Sequence, residues 1–296
     1  MCIGTSTAWR GIRNRRANRL DTLLSIDLSA RYGSKPDVLR DVAFSIDRGE
    51  ILGLVGPSGC GKSTLSLAIL RLLHLKRGEA RGSIAFQGRD LMQLREREMR
   101  ALRGKEIGLV LQSPLASLNP ALRIGTQLEE AWRAHVRGPR AECQAAIRQM
   151  LNTVSLPSDE EFLRRYPSQM SVGQAQRVLI GMSVLHHPAL LLADEPTSAL
   201  DPVTQAEILK LFADLSRRFD MSILYISHDL LSVAAISHRV AVLSAGQIVE
   251  CAETAQVFRN PQHPYTRALV ESIPLQALND LAGRPAARAA ASGQAL

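Results

Sequence analysis

A chain of 296 residues with 46% apolar side chains can bury a sizeable core, in one large domain or two small ones. Its longest apolar runs, such as 189–193, are far too short to cross a bilayer, which excludes a transmembrane segment. A net charge of +8 could suit nucleic acid, but the basic residues are scattered and aromatics reach only 4%; with no stacking platform for bases, a basic surface beside phospholipid and triphosphate is the preferred reading. Cys2, Cys60, Cys143 and Cys251 share no metal or disulfide spacing, which fits a reducing cytoplasm.

In chain order, residues 1–22 carry Arg10, Arg13, Arg15, Arg16 and Arg19 with no apolar stretch behind them. This argues against a secretory signal and predicts a basic, disordered tail. From Leu24 to Tyr32 apolar and polar residues alternate as in a half-buried strand, and Val42, Phe44 and Ile46 do the same before a turn at 47–49. Residues 51–55 read as a buried strand, 64–73 as a helix, and 83–87 and 107–111 as further strands. From 118 to about 184 the character is helical: 126–134 and 141–154 are separated by the breaker Gly138-Pro139. Ser158 with Glu161 forms a capping-box start for a short third helix, and 175–185 is a longer one. Then come strand 190–193, helix 204–218, strand 222–226 and helix 230–236, an alternation that implies parallel strands covered on both faces. Residues 239–243 and 247–250 pair as a hairpin around 244–246. The end, 275–296, grows rich in Ala, Gly and Arg without periodicity and is predicted to be disordered.

The most informative segment lies between the strand 51–55 and the helix that follows. It reads Gly56-Pro-Ser58-Gly59-Cys60-Gly61-Lys62-Ser63-Thr64 and fits the G-x-x-x-x-G-K-[ST] phosphate loop without a mismatch. Its glycines let the backbone curl so that several amide N–H groups point at one anion, the helix start adds a positive dipole end, Lys62 adds a cation for the β/γ-phosphates, and the Ser63 hydroxyl can ligate Mg²⁺. Farther on, an apolar strand ends in Asp194 and Glu195, which could serve the Mg²⁺ shell and polarise an attacking water respectively. Gln112 closes the strand 107–111, where its amide could reach the metal. Ser171 and Gly173 at a helix start form a second anion-seeking site, and His228 ends another parallel strand.

In this order and spacing the motifs resemble the ATP-binding-cassette (ABC) ATPases from residue 24 to 274. The resemblance implies an α/β P-loop core with an antiparallel β-subdomain and an inserted α-helical subdomain at about 113–170, within a domain spanning 23–274. By the same resemblance 56–63 is the Walker A loop, Gln112 the Q-loop residue, Asp194-Glu195 Walker B with its catalytic glutamate, Asp201 the D-loop aspartate and His228 the switch histidine. Ser171, Val172, Gly173 and Gln174 match the signature, usually Leu-Ser-Gly-Gly-Gln, which acts in trans on the ATP of a second subunit; Val172 replaces its first glycine. Tyr32 fits the adenine-stacking residue as well as it fits a core aromatic. Ser117-Leu-Asn-Pro120, His263-Pro-Tyr-Thr266 and Ser272-Ile-Pro274 resemble the ATPase subunits of oligopeptide, dipeptide and nickel importers. No cysteine follows Cys251, so the iron–sulfur cysteine cluster of some members is absent from this sequence. The family implies ATP and Mg²⁺, a second ABC ATPase subunit (a heterodimer, given Val172), membrane permease subunits and a separate substrate-binding protein, with no nucleic acid. It places the chain peripherally on the cytoplasmic face of the inner membrane. An accessory ATPase of a carbon–phosphorus lyase assembly is the alternative. A DNA-repair ATPase fits less well, because 63–170 holds no sustained heptads.

Overall fold

The computed structural model describes residues 21–274. The expected C-terminal tail lies outside the described residues, as does the N-terminal one up to residue 20. Thr22 corrects the boundary of the latter: it is the first residue of strand β1 (Thr22–Tyr32) and pairs with Asp47. A register shift between Thr22 and Leu24 buries Leu23 and Leu24 together, which hides the start of the strand from a period-two reading.

β1 is flanked by β2 (Leu39–Asp47) and followed in space by β4 (Gly78–Phe86) and the short β5 (Arg89–Asp90), an antiparallel sheet in the order β2-β1-β4-β5. The second sheet is built on β3 (Ile51–Val55), β6 (Ile107–Val110), β7 (Leu190–Asp194), β8 (Ser222–Ser227) and β9 (Arg239–Ser244). These five run parallel, and β10 (Gln247–Glu253) pairs antiparallel with β9, giving the order β10-β9-β3-β8-β7-β6.

The helices are α1 (Lys62–Ile69), α2 (Glu96–Leu102), α3 (Pro114–Ser117), α4 (Ile124–Arg133), α5 (Arg140–Thr153), α6 (Glu160–Arg164), α7 (Val172–Val184), α8 (Pro202–Phe219), α9 (Leu230–Ile236), α10 (Thr254–Arg259) and α11 (Pro264–Glu271). Between β6 and α7 the described elements are all helical.

Two cores lie on opposite faces of the parallel sheet. Successive residues of a strand point to opposite sides, so in β3 Leu52 and Leu54 join a core with α1 and the antiparallel sheet, while Ile51 and Val55 join one with α5, α7 and α8. A strand buried on both faces is apolar along its length, which is why 51–55 and 190–193 read as continuous runs.

The structure moves some expected boundaries. The helix after the phosphate loop stops at Ile69, because Arg71 takes a left-handed φ of 53° and only a 3₁₀ turn follows at Leu73–Lys76. The short third helix is capped by Asp159 and not by Ser158: the Asp159 carboxylate accepts the Phe162 N–H at 2.8 Å. α7 begins at Val172, three residues before the expected start, so the signature segment forms its first turn. α2, α10 and α11 were not expected from the sequence.

Candidate functional site

The phosphate loop leaves β3 at the C-terminal edge of the parallel sheet and enters α1, where crevices of open α/β sheets bind ligands. Two of its glycines are there for close approach. A Cβ on Gly56 would run into the Leu243 carbonyl of β9, and Gly61, the N-cap of α1, has φ 110° and lies against Leu39 of β2. The antiparallel sheet thus braces the loop from one side and β9 from the other. Ser58, Gly59 and Ser63 face solvent, whereas Lys62 and Thr64 are buried. Lys62 Nζ donates to the carbonyls of Gly56 at 2.8 Å and Pro57 at 3.0 Å, so the ammonium is held inside the curl of the loop.

Cys60 turns its side chain the other way. Its sulfur lies beneath the loop, 2.9 Å from where a Gly56 Cβ would stand, and burial pushes the thiol pKa up. Only its backbone is available to an anion above the loop. Tyr32 is half-buried, and its hydroxyl lies 3.2 Å from Thr64 Oγ1, which joins the end of β1 to α1.

β7 ends in the two carboxylates. Asp194 is buried, its Oδ1 has no hydrogen-bond partner, and burial raises its pKa against the opposing bond from the Ser63 hydroxyl. An orphaned carboxylate oxygen beside a hydroxyl is the donor set expected of a divalent-cation site completed by phosphate oxygens. Among the described residues no group of three or more His, Cys, Asp or Glu forms a metal cage, so a cation here would rest on mixed oxygen donors.

Glu195 is the hub of the site. Its Oε2 accepts from Gln112 Nε2 at 3.1 Å and from His228 Nδ1 at 3.1 Å, and its Oε1 lies 3.7 Å from Lys62 Nζ. A carboxylate oxygen can only accept, so the proton in the histidine bond belongs to Nδ1. The backbone at Glu195 is left-handed, φ 48°, which is strained for a residue with a Cβ. It is held by the Glu195 N–H bond to the Ile226 carbonyl at 2.9 Å and by the Ser198 hydroxyl donating to the Glu195 carbonyl at 3.1 Å. Ser198 lies between Glu195 and Asp201, and its bond to Glu195 is one that the sequence reading misses.

Four segments distant in sequence therefore converge: Lys62 and Ser63, Gln112, Asp194 and Glu195, and His228. The signature residues do not join them by any contact within the chain. Ser171 caps α7 by accepting the Gln174 N–H at 3.2 Å, the Gln174 side chain accepts the Ser171 N–H in return, and Gly173 lies against Thr204. This capping box satisfies part of the helix N-terminus within the chain and leaves fewer free donors for an anion than the sequence suggested. Val172 is exposed at the first helical position. Asp201 caps α8, accepting from the Val203 and Thr204 N–H groups and the Thr204 hydroxyl, and that hydroxyl bond leads in lowering its pKa.

The arrangement can hold a polyanion on the loop, a divalent cation at its rim, and a water next to a carboxylate. The chain as a whole is similar to known proteins. The profile of the ABC transporter family matches residues 39–198, and that of the oligopeptide/dipeptide transporter C-terminal region matches 249–293. The oligopeptide transport ATP-binding protein OppD of Bacillus subtilis is 42% identical over 261 residues, 88% of this chain and 73% of that one. The dipeptide transport ATP-binding protein DppD of Escherichia coli K12 is 39% identical over 256 residues, 85% of this chain and 78% of that one. The glutathione import ATP-binding protein GsiA of Pectobacterium atrosepticum is 43% identical over 261 residues, but this chain spans only 42% of its length. Among solved structures, cbiO1 of Clostridium perfringens superposes with a TM-score of 0.71 at 24% identity, covering 87% of this chain and 98% of that one; it bears on the fold alone. The ATP-binding cassette MJ0796, solved as a dimer in a post-hydrolysis state with ADP and Pi, does so with 0.67 at 25% identity over 78% of this chain and 98% of that one. With the phosphate loop, the paired carboxylates and relatives of this similarity over most of its length, the chain belongs to the ABC transporter family, as a subunit that binds and hydrolyses ATP.

Proposed function

We propose that this chain is the ATP-hydrolysing subunit of a peptide-class importer, acting at the cytoplasmic face of the membrane with Glu195 as its general base. The observation that carries the chemistry is the Glu195 hub, which joins Gln112, His228 and Lys62 around one carboxylate. Lys62, the loop amides and Thr64 bind the triphosphate, with Tyr32 against the base. Ser63, Gln112 and Asp194 would hold Mg²⁺, which when bound neutralises charge on the β- and γ-phosphates. Glu195 takes a proton from the attacking water as the water oxygen bonds to the γ-phosphorus and the bond to the ADP oxygen breaks. His228 orients the same carboxylate through Nδ1.

The peptide class is supported by the relatives named for oligopeptide and dipeptide transport and by the matched C-terminal region. No finding favours a carbon–phosphorus lyase or DNA-repair assembly. No helix among the described residues is long and apolar enough to cross a membrane, so on this reading permease subunits supply the path and a separate binding protein delivers the solute. The signature residues act on the ATP of a second ATPase subunit. Val172, exposed where glycine is usual, favours a different partner chain with an intact signature over a second copy.

The test has two arms. Glu195→Gln in the full-length chain is expected to lower ATPase turnover by about a hundredfold or more while ATP binding persists. Near-normal turnover removes Glu195 from the role of base. Purification of the chain from detergent-solubilised membranes is expected to bring down two membrane subunits and a second ATPase; recovery with a soluble enzyme assembly overturns the importer reading.

A further inference from the structure

The strained turn that presents Glu195 is tied to the strand that leads to His228 by a buried hydroxyl network centred on Tyr225. The Thr197 hydroxyl, two residues past Glu195, lies 3.0 Å from the Tyr225 hydroxyl on β8, three residues before His228. Both side chains are buried, and so are Ser227 and Ser232, whose hydroxyls also face the Tyr225 oxygen. Ser232 Oγ reaches Ser227 Oγ at 3.3 Å and donates to the Asp229 carbonyl at 2.8 Å. Ser227 Oγ accepts the Asp229 N–H at 3.0 Å, and the Asp229 carboxylate accepts from Gln205 Nε2 of α8 at 2.9 Å. One connected set of bonds thus spans the loop after Glu195, the residues on either side of His228, and the helix that Asp201 caps.

We infer that Tyr225 is a positioning residue for ATP hydrolysis, its hydroxyl acting through Thr197 to hold the left-handed turn at Glu195 in register with His228. Three observations carry this. Glu195 has φ 48°, a conformation that persists only where surrounding contacts over-determine it. The contacts that fix it are the Ile226 carbonyl, next to Tyr225 in β8, the Ser198 hydroxyl, and the Thr197 link to Tyr225 itself. Both side chains are buried, so the loss of the Tyr225 hydroxyl leaves Thr197 without water to replace it, and the loss of the Thr197 hydroxyl leaves the Tyr225 oxygen with Ser227 and Ser232 alone and uncoupled from the turn. Burial also pushes the Tyr225 phenol pKa up, which keeps the proton on the bridging oxygen at any working pH. The packing of the ring against Phe212, at 6.0 Å between centroids, explains why the site is aromatic but not why it carries a hydroxyl.

The inference rests on Glu195 and His228 being the hydrolytic pair, and its experiment reports on that separately. Tyr225→Phe, which keeps the ring, Thr197→Val, which keeps the shape, and Thr197→Ser, which keeps the hydroxyl, are compared with Glu195→Gln in the full-length chain copurified with its membrane partners. Tyr225→Phe and Thr197→Val are each expected to lower kcat about tenfold with KM for ATP unchanged. Thr197→Ser should keep most of the activity. The double variant Tyr225→Phe/Thr197→Val should fall no further than either single one, because both break the same link. In the Glu195→Gln background Tyr225→Phe should change residual turnover by less than twofold, which a general loss of stability would not reproduce. If Glu195→Gln is inactive and Tyr225→Phe keeps kcat within twofold of the parent, the inference is overturned while the hydrolytic reading stands. Additive losses in the double variant, or a raised KM with unchanged kcat, also overturn it. If Tyr225→Phe fails to fold, the contrast between Thr197→Val and Thr197→Ser decides alone. If Glu195→Gln stays active, the hydrolytic reading itself has failed.

Discussion

If Asp194 holds Mg²⁺ as proposed, it costs stability in the absence of nucleotide, and Asp194→Asn should expose the exchange. Its carboxylate is buried at the end of β7 with Oδ1 unpartnered, and burial holds its pKa above the ordinary 3.8. Leaving a buried polar atom unsatisfied costs roughly 1–3 kcal/mol, and more when it is charged. The amide has nearly the same shape and no charge, so the nucleotide-free variant should be more stable by about 1–2 kcal/mol. For a domain of this size that is a rise in Tm of roughly 2–8 °C. The pH dependence has a definite sign. Because the folded pKa lies above the unfolded one, the parent gains stability as the pH falls through the folded value, and the gain is complete below the unfolded value. The advantage of asparagine is therefore full at neutral pH and shrinks on acidification towards 3.8. With ATP and Mg²⁺ the order should reverse, since ligand that binds only the folded state at a hundred times its Kd adds about 2.7 kcal/mol and the variant loses the share that needs the cation. Calorimetric melts with EDTA, and with ATP plus Mg²⁺, read both effects, and the variant should hydrolyse ATP at least tenfold more slowly. A lower Tm in EDTA at neutral pH, or an equal gain from ATP and Mg²⁺ in both proteins, refutes the reasoning.

Three further outcomes are expected. Cys60 is buried beneath the phosphate loop, so a bulky thiol reagent should label it slowly in the folded chain, inactivate it when it does, and leave Cys60→Ser active; equal inactivation of that variant would point to Cys251, the more exposed described cysteine. Val172→Gly should leave hydrolysis at this chain's own Lys62–Glu195 site unchanged and raise turnover at the partner's site. Glu195→Gln here should abolish most turnover of the complex, whereas the matching substitution in the partner should not; equal losses from both refute the asymmetric dimer.

Much of this site was legible in the sequence because its chemistry is written in contiguous backbone. A phosphate cradle needs glycines at fixed offsets between a strand and a helix, so 56–63 announces itself whatever surrounds it. The carboxylates at 194–195 are legible for a related reason, since a strand buried on both faces is apolar until it emerges and the change to acid at its last residue marks its end. What was not legible depends on which side of a loop meets which neighbour. Nothing in Gly-Cys-Gly reveals that the thiol turns down towards β9; that follows from the lack of room above Gly56. The capping box at Ser171-Val-Gly-Gln174 was readable as S-x-x-Q, and reading it would have started α7 at the right residue.

The network around Tyr225 belongs to the second kind. Thr197, Tyr225, Ser232 and Gln205 come from a loop, a strand and two helices, and each is an ordinary residue for its element. They become one system only because β7 and β8 are parallel neighbours, with Asp194 opposite Ile226, so that the loops leaving both strands emerge at the same edge. The pairing that makes Glu195 and His228 neighbours also places the hydroxyls beneath them. A carboxylate held in a strained conformation needs that second layer, because the motif residue supplies the carboxylate but not the force that keeps its backbone at φ 48°. The chemistry at this edge is therefore specified by motif, and its alignment by the register of two strands.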